Sequence, residues 1–209
     1  MKLKKILIYG DSNTWGDNFI TGKRIPDVKQ WVNILKKKYE KKYLFLQEGL
    51  PGRLAGNEEK TKQYKNGLDT FISIFRTSAP VDIVIISLGT NDLQLKYNKT
   101  SKKIIQDLLW YKEKLEESFS DIEDREKYFN GKMPKIIYIL PINFDYKVNA
   151  CEIFNKDCEE KRQEIIEYFK KQNMNIIVAN DLDLFEDGIH LNYQGHETMA
   201  LLVERELEV

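Results

Sequence analysis

The sequence predicts an α/β protein in which five strands form one parallel sheet covered by helices. Five short apolar runs rich in β-branched and aromatic residues occur along the chain, at residues 3–10, 43–49, 81–89, 135–141 and 174–181. Each run is almost continuously apolar rather than alternating, which is typical of strands buried on both faces. The segments between the runs carry apolar residues at helical spacing, and strands alternating with helices predict a parallel sheet.

The helices are assigned from apolar residues that repeat every three or four positions. In chain order these residues are Val28, Trp31, Val32 and Leu35; Leu68, Phe71, Ile72 and Phe75; Ile104, Leu108, Tyr111 and Leu115; Ile165 and Phe169; and Met199, Leu202 and Val203. The second helix must end before Pro80, because proline disfavours helical geometry in the residue before it. Asn192 is predicted to cap the last helix. The polar segments 120–134 and 143–157 are expected as surface loops, and the second is a candidate for shaping a pocket.

Length and composition fit one domain over residues 1–209, with 42% hydrophobic residues. Lys and Arg number 33, as do Asp and Glu, so no net field attracts nucleic acid or an anionic membrane. No apolar run approaches the roughly 18–20 residues of a membrane span, so membrane insertion is not expected. Cys151 and Cys158 are expected as free thiols in the cytoplasm, since a shared helix would hold their Cα atoms about 10 Å apart.

The chemistry is expected at the carboxyl ends of the strands, where open parallel sheets bind ligands. The segments that follow the five strands are GDSNT (10–14), EGLPGR (48–53), GTND (89–92), PINFDY (141–146) and DGIH (187–190). All but PINFDY carry groups that an acyl-transfer site uses. Each of these four is an ordinary turn when taken alone. Their occurrence in order, each behind its own strand, favours function over turn chemistry.

Ser12 is the predicted nucleophile, and a serine hydroxyl needs a base within hydrogen-bond reach. The chain has only two histidines, His190 and His196. His190 is the candidate base, because Asp187 lies three residues earlier and is placed to orient the imidazole. His196 is expected on the polar side of the last helix, exposed to solvent.

A tetrahedral intermediate also needs donors that are already directed at its oxyanion. The candidates are the backbone N–H groups of Ser12 and Gly52 and the side-chain amide of Asn91. Glycine suits this position because the missing Cβ lets the backbone approach the substrate.

On these residues the sequence resembles the SGNH hydrolases, also called the GDSL family, which is defined by Ser, Gly, Asn and His in four blocks. GDSNT carries Ser12, LPGR carries Gly52, LGTND carries Asn91, and DGIHLNYQGH carries Asp187 and His190. The likeness extends from about residue 5 to residue 205. GDSNTWG followed by EGLPGR is most similar to the arylesterase and acyltransferase branch, where a Trp after the nucleophile lines the pocket.

The resemblance implies a flavodoxin-like three-layer α/β/α sandwich with serine esterase chemistry that uses neither a metal nor a cofactor. Asp187 would orient His190, and His190 would deprotonate Ser12. Gly49 is the alternative to Gly52 in the second block. Pro51 departs from the small residue usual in this branch, which bears on substrate preference.

The resemblance also accounts for two further acidic residues. Asp11 and Asp92 accompany the first and third motifs in the family, and they are assigned turn-forming and supporting roles.

The expected activity is hydrolysis of small acyl esters, short-chain, acetyl or aryl, through an acyl-enzyme. A lysophospholipase or thioesterase type of lipid hydrolase is the alternative, and acyl transfer and a homo-oligomer are left open. A non-catalytic flavodoxin-like binder of nucleotide or flavin is disfavoured, because GDSNTWG lacks the glycine pattern of a phosphate cradle. A catalytically inactive scaffold is disfavoured because all four motif positions are filled. The expected partner is a small-molecule ester substrate.

Overall fold

The computed structural model describes residues 3–148 and 152–208, and its main sheet contains the five predicted strands. These are β1 (Lys4–Gly10), β4 (Tyr43–Gly49), β5 (Ile83–Ser87), β6 (Lys135–Ile139) and β7 (Asn175–Ile177), and a short hairpin adds β2 (Asp17–Asn18) and β3 (Lys23–Arg24). The five strands are parallel in the order β4-β1-β5-β6-β7. This is the flavodoxin-like order, with the topological switch beside β1.

Helices cover both faces of this sheet, which confirms the predicted three-layer sandwich. They are α1 (Ser12–Trp15), α2 (Trp31–Lys38), α3 (Gly67–Ser78), α4 (Ser101–Ser120), α5 (Ile122–Asp124), α6 (Lys156–Lys170) and α7 (Tyr193–Glu208). None of the helices in the described ranges combines the length and apolar character needed to cross a bilayer. The predicted end of α3 before Pro80 is confirmed. Asn192 caps α7 as predicted, since its Oδ1 accepts from Gly195 N at 2.9 Å.

Alternation along β1 divides the core into two layers. Leu7 and Tyr9 pack with α3, α4 and α6, whereas Ile6 and Ile8 pack with α2 and α7. Successive side chains of a strand point to opposite faces, so a strand at the centre of the sheet must be apolar on both. This explains the continuous apolar run that predicted the strand.

Two predictions of secondary structure, one of a helix and one of a loop, are wrong in detail. Val28 is 73% exposed in a short 3₁₀ turn (Asp27–Lys29), and α2 begins only at Trp31 because Gln30 is extended. The segment 120–134 is helical rather than a loop over much of its length, since α5 runs into a π-helical turn (Arg125–Phe129). Phe129 is buried against Phe75 and Phe119 and holds this charged segment on the core.

The segment 143–157 is partly fixed to the protein body. Phe144 and Phe154 are buried and stack with their ring centroids 4.2 Å apart. Asp145 N donates to Gly188 O at 2.8 Å, which joins this segment to the segment that carries His190. Cys151 lies outside the described residues, and Cys158 is a buried free thiol on α6.

Candidate active site

Ser12 begins the single-turn helix α1 directly after β1. Asp11 caps this helix by accepting from Asn13 N at 3.0 Å, and Gly16 ends it in the left-handed region. Gly10 permits the tight turn, because a Cβ there would lie 2.0 Å from Thr14 Oγ1. Ser12 therefore lies at the carboxyl end of β1, an interior strand of the sheet, with its backbone N–H in the unpaired first turn of a helix.

Ser12, His190 and Asp187 meet as the sequence predicts. Ser12 Oγ lies 3.1 Å from His190 Nε2, and His190 Nδ1 lies 2.5 Å from Asp187 Oδ2. Because an ionised carboxylate only accepts hydrogen bonds, the ring hydrogen belongs on Nδ1. His190 Nε2 is then free to accept the proton of the Ser12 hydroxyl.

The Asp187 carboxylate also holds the backbone of the turn that carries His190. Its Oδ1 accepts from Ile189 N at 3.0 Å and from His190 N at 3.1 Å. Gly188 has φ +70°, and a Cβ there would lie 2.6 Å from Asp145 O. The DGIH motif is therefore a tight turn built around its own carboxylate.

The electrostatics of this pair favour a charged imidazole beside a charged carboxylate. Burial disfavours the imidazolium, but the hydrogen bond and charge of Asp187, with the charges of Asp17 and Asp11, outweigh it and raise the pKa of His190 above its ordinary value. Burial also opposes ionisation of Asp187, but its hydrogen bonds from His190 and Ile189 outweigh it and lower its pKa. The site thus stabilises the imidazolium that proton transfer from Ser12 would create.

Asn91 and Gly52 follow the two strands that flank β1. Gly10 pairs with Gly49 of β4 and with Ser87 of β5, so the three strand ends are neighbours. Asn91 Oδ1 accepts from Gln94 Nε2 at 2.8 Å, and its Nδ2 donates to Arg53 O at 3.1 Å. Among the described residues, the second Nδ2 hydrogen of Asn91 has no acceptor.

Gly52, rather than Gly49, has the properties expected of a glycine that approaches substrate. Gly49 belongs to β4, and a Cβ there would lie 2.4 Å from Trp15 N, so it serves close backbone packing. Gly52 has φ +75° in the turn after β4. Within the described ranges, no acceptor of the chain hydrogen-bonds the Gly52 N–H.

A buried ion cluster behind the site, formed by Asp92, Lys99 and Asp107, was not predicted as a unit. Asp92 accepts from Ala55 N at 2.6 Å and Gly56 N at 3.2 Å, which bears out the supporting role inferred from the resemblance. Lys99 Nζ lies 2.8 Å from Asp92 Oδ1 and 3.4 Å from Asp107 Oδ2. Only the position of Asp92 beside Asn91 in GTND signals this cluster in the sequence.

Asn13 and Arg53 are further residues whose part in the site the sequence analysis missed. Asn13 Oδ1 accepts from Leu191 N at 2.8 Å, and its Nδ2 donates to Ile189 O at 3.3 Å, so it binds the backbone on both sides of His190. Arg53 is buried and donates to Gly10 O at 3.0 Å. Both lie next to motif residues, in GDSNT and LPGR, which is the only signal for them.

The prediction that His196 is solvated is wrong, because its side chain is 0% exposed. Its Nδ1 accepts from Trp31 N at 3.3 Å. This bond satisfies one of the backbone N–H groups that a helix leaves unpaired at its start. Burial, with the nearby His190 charge, lowers the pKa of His196 to about 4, so it is neutral at physiological pH.

Solved structures of low sequence identity share the fold. A carbohydrate acetylesterase from Sinorhizobium meliloti has 20% identity and a TM-score of 0.77, with 98% of each chain covered. The inhibitor-bound aryl esterase of M. smegmatis has 21% identity and a TM-score of 0.79, again with 98% of each chain covered. A lipase/acylhydrolase from Enterococcus faecalis has 20% identity and a TM-score of 0.65, with coverage of 99% of this chain and 96% of that one.

The family comparison covers most of the sequence. No curated protein matches the chain with significance. The family model described as GDSL-like Lipase/Acylhydrolase matches residues 6–203, a range that contains all four motifs. The resemblance seen in the sequence is thereby confirmed, and the chain belongs to the GDSL-like lipase/acylhydrolase family of carboxylic ester hydrolases.

Proposed function

We propose that this protein is a serine esterase that hydrolyses small acyl esters through a Ser12-His190-Asp187 triad and an acyl-enzyme. The observation that carries the proposal is the 3.1 Å separation of Ser12 Oγ and His190 Nε2, with Asp187 on the other ring nitrogen. Nucleophile, base and orienting carboxylate in this relation are the requirements for activating a serine hydroxyl.

In the proposed reaction, Ser12 Oγ attacks the ester carbonyl carbon and His190 Nε2 takes the hydroxyl proton. Collapse of the tetrahedral intermediate breaks the bond to the leaving alcohol, and His190 returns the proton to that oxygen. Water then attacks the acyl-Ser12 ester and passes a proton to His190. The second collapse releases the carboxylic acid and restores the Ser12 hydroxyl.

The negative oxygen of each tetrahedral intermediate would accept from the backbone N–H groups of Ser12 and Gly52 and from Asn91 Nδ2. The hydrogen bonds that fix the Asn91 amide support this assignment. The Asn91 amide is held by Gln94 Nε2 and by Arg53 O, which leaves its second Nδ2 hydrogen without an acceptor among the described residues. Donors that are fixed in advance contribute most, because they pay little reorganisation energy during the reaction.

The proposal is tested with p-nitrophenyl acetate and the variant Ser12→Ala. The wild type should hydrolyse this ester, and the variant should lose at least about 10³-fold in kcat, as loss of a triad residue does in other enzymes. A fluorophosphonate should label Ser12 in the wild type only. Full activity in Ser12→Ala would contradict the assignment of the nucleophile, and absence of both labelling and turnover would contradict the esterase function.

For the substrate class, we propose short acyl groups, chiefly acetyl, on sugar or aryl alcohols. Two of the similar structures are a carbohydrate acetylesterase and an aryl esterase by name. Initial rates on p-nitrophenyl esters of increasing acyl length, in the wild type, decide the acyl class. Rates that fall steeply beyond short acyl chains support the proposal, whereas rates that rise toward long chains point to the lipid-hydrolase alternative.

We further propose that the enzyme works in the cytoplasm. Cys158 is a buried free thiol, a form that persists most readily in a reducing compartment. Fractionation of cells that produce the protein tests this, and its appearance in an exported fraction would contradict it.

A further inference from the structure

A carboxylate outside the triad faces the same ring nitrogen that would protonate the leaving alcohol. Asp17 Oδ2 lies 3.9 Å from His190 Nε2, while Ser12 Oγ lies 3.1 Å from that atom. The side chains of Asp17 and His190 are 24% and 20% exposed, so the carboxylate is half-buried at the mouth of the site. Asp187, in contrast, contacts the opposite nitrogen of the ring.

The hairpin β2–β3 places Asp17 at the site. Gly16 has φ +87° and ends α1, and its carbonyl accepts from Ile25 N at 2.8 Å. Asn18 is buried, and its Oδ1 accepts from Ile20 N and Thr21 N, which forms the turn of the hairpin. Backbone pairing between the two strands of the hairpin therefore fixes the position of Asp17.

The charge of Asp17 is not neutralised by the cation that pairs with it across the hairpin. Arg24 is its cross-strand partner, but Arg24 Nε donates to Trp15 O at 2.8 Å and Nη2 donates to Gln30 Oε1 at 3.3 Å. Among the described residues, His190 is the only cationic group within ion-pair distance of the Asp17 carboxylate. The uncompensated charge of Asp17 therefore acts on any group that is bound beside His190 Nε2.

A second charge stands near the other end of the reacting ester. A Cβ built on Gly52 would lie 2.8 Å from Lys65 Nζ, so this ammonium is adjacent to the proposed oxyanion donor. In the proposed reaction the carbonyl oxygen faces Gly52 and the leaving oxygen faces His190. Positive charge thus lies on the carbonyl side and negative charge on the alcohol side.

We propose that Asp17 is a specificity-determining residue that favours esters whose alcohol carries a cationic group, and that disfavours esters whose alcohol carries an anionic group. The inference rests on the esterase function proposed above. The leaving oxygen must come within hydrogen-bond reach of His190 Nε2 to receive its proton. A substituent on that alcohol then lies a few ångströms from an uncompensated carboxylate, at a half-exposed position where screening is incomplete.

The test compares acetylcholine with 3,3-dimethylbutyl acetate, which has the same shape and acyl group but no charge. Rates are taken on the alkaline plateau of the pH profile, so that a change in the pKa of His190 does not enter. After correction for the rates of base hydrolysis, wild-type kcat/KM should favour the cationic ester. In Asp17→Asn the preference should fall about tenfold, the effect of one charge at roughly 6 Å with an effective dielectric constant of about 40, between those of a protein surface and of water.

Glu40→Gln is the matched control, because it removes one negative charge from an exposed residue just before β4, at the opposite end of the sheet. It should leave the ratio unchanged. Equal effects of Asp17→Asn on both esters, or no cation preference in the wild type, would overturn the proposal while leaving the esterase function intact. Absence of hydrolysis of the neutral ester together with absence of fluorophosphonate labelling would instead contradict the esterase function itself.

Discussion

Two loops flank Ser12, and they are held by different kinds of interaction. The Gly52 loop, residues 50–56, is fixed by the buried ion cluster, since Asp92 accepts from Ala55 N and Gly56 N. The His190 loop, residues 183–192, is fixed to the rest of the protein mainly by neutral hydrogen bonds. Asn13 binds it at Ile189 O and Leu191 N, and Asp145 N binds Gly188 O.

The two kinds of support should fail in different ways. Removing one member of a buried ion cluster leaves an uncompensated charge, which costs about 3–5 kcal/mol. A neutral hydrogen bond contributes only about 1 kcal/mol net. We therefore expect the Gly52 loop to lose its structure together with the fold, and the His190 loop to loosen while the fold persists.

The largest effect is expected from Asp92→Asn, which tests the charged side of this comparison. The change leaves Lys99 buried with only Asp107 as counter-ion, and it weakens the bonds to Ala55 N and Gly56 N. Urea unfolding should show a loss of about 3–5 kcal/mol in the free energy of unfolding.

Two further variants show whether burial of the charge is the cause. In Asp92→Asn with Lys99→Met, the buried ammonium that has lost its nearer counter-ion is removed as well, so part of the lost stability should return. Lys103→Met removes a cation that also contacts Asp107 but is 52% exposed, and it should cost under about 1 kcal/mol. Equal losses in Lys103→Met and Asp92→Asn would contradict the distinction between the two loops.

His196 is a buried titratable residue on α7, just after the His190 loop, and its protonation at low pH should destabilise the fold. Its pKa of about 4 in the folded protein is below the ordinary 6.5, so the unfolded chain binds the proton more tightly. The stability that this residue contributes is complete above pH 6.5 and is lost progressively as the pH falls from 6.5 to about 4. The loss amounts to about 3 kcal/mol at most.

The variant His196→Asn isolates this effect, because asparagine keeps an acceptor for Trp31 N. Burial raises the pKa of Asp11 to about 6, so acid stabilises the fold through Asp11 in the wild type and in the variant alike. The effect of His196 is therefore read from the difference between the two proteins. Urea unfolding should show the variant less stable at neutral pH, with the gap narrowing as the pH falls to 4. A gap that is independent of pH would contradict a buried neutral His196.

The sequence predicted the parts of the site that depend on topology alone. Ser12, Asn91 and His190 follow apolar runs, and parallel strands bring their carboxyl ends to one edge of the sheet. Local patterns were enough to locate these residues, because GDSNT and GTND come almost directly after their strands, and DGIH follows β7 after a longer connection. The five strands were predicted from their apolar runs, whereas their order in the sheet is seen only in the structure.

The residues that support the site depend on packing between distant segments, which local patterns do not contain. Asn13 binds Leu191, and His196 binds Trp31, partners that lie more than a hundred positions away. A polar residue on a helix reads as exposed unless its partner is known, which is why His196 was assigned to solvent. The charged segment 120–134 read as a loop because Phe129, its one buried aromatic residue, gives it no helical stripe.

At Asn13, a substitution is expected to affect activity far more than stability. Asn13→Leu keeps the size of the side chain but removes both bonds to the backbone around His190, at a cost of about 1–2 kcal/mol. The fold should persist, but His190 would be held less well against Ser12, and a misplacement of about 1 Å can cost on the order of 10² in rate. In p-nitrophenyl acetate hydrolysis kcat should therefore fall much more than KM changes. Asn13→Asp keeps the acceptor for Leu191 N, so its kcat should lie between those of Asn13→Leu and the wild type. An unchanged kcat in Asn13→Leu would mean that the His190 loop is held by its own backbone bonds.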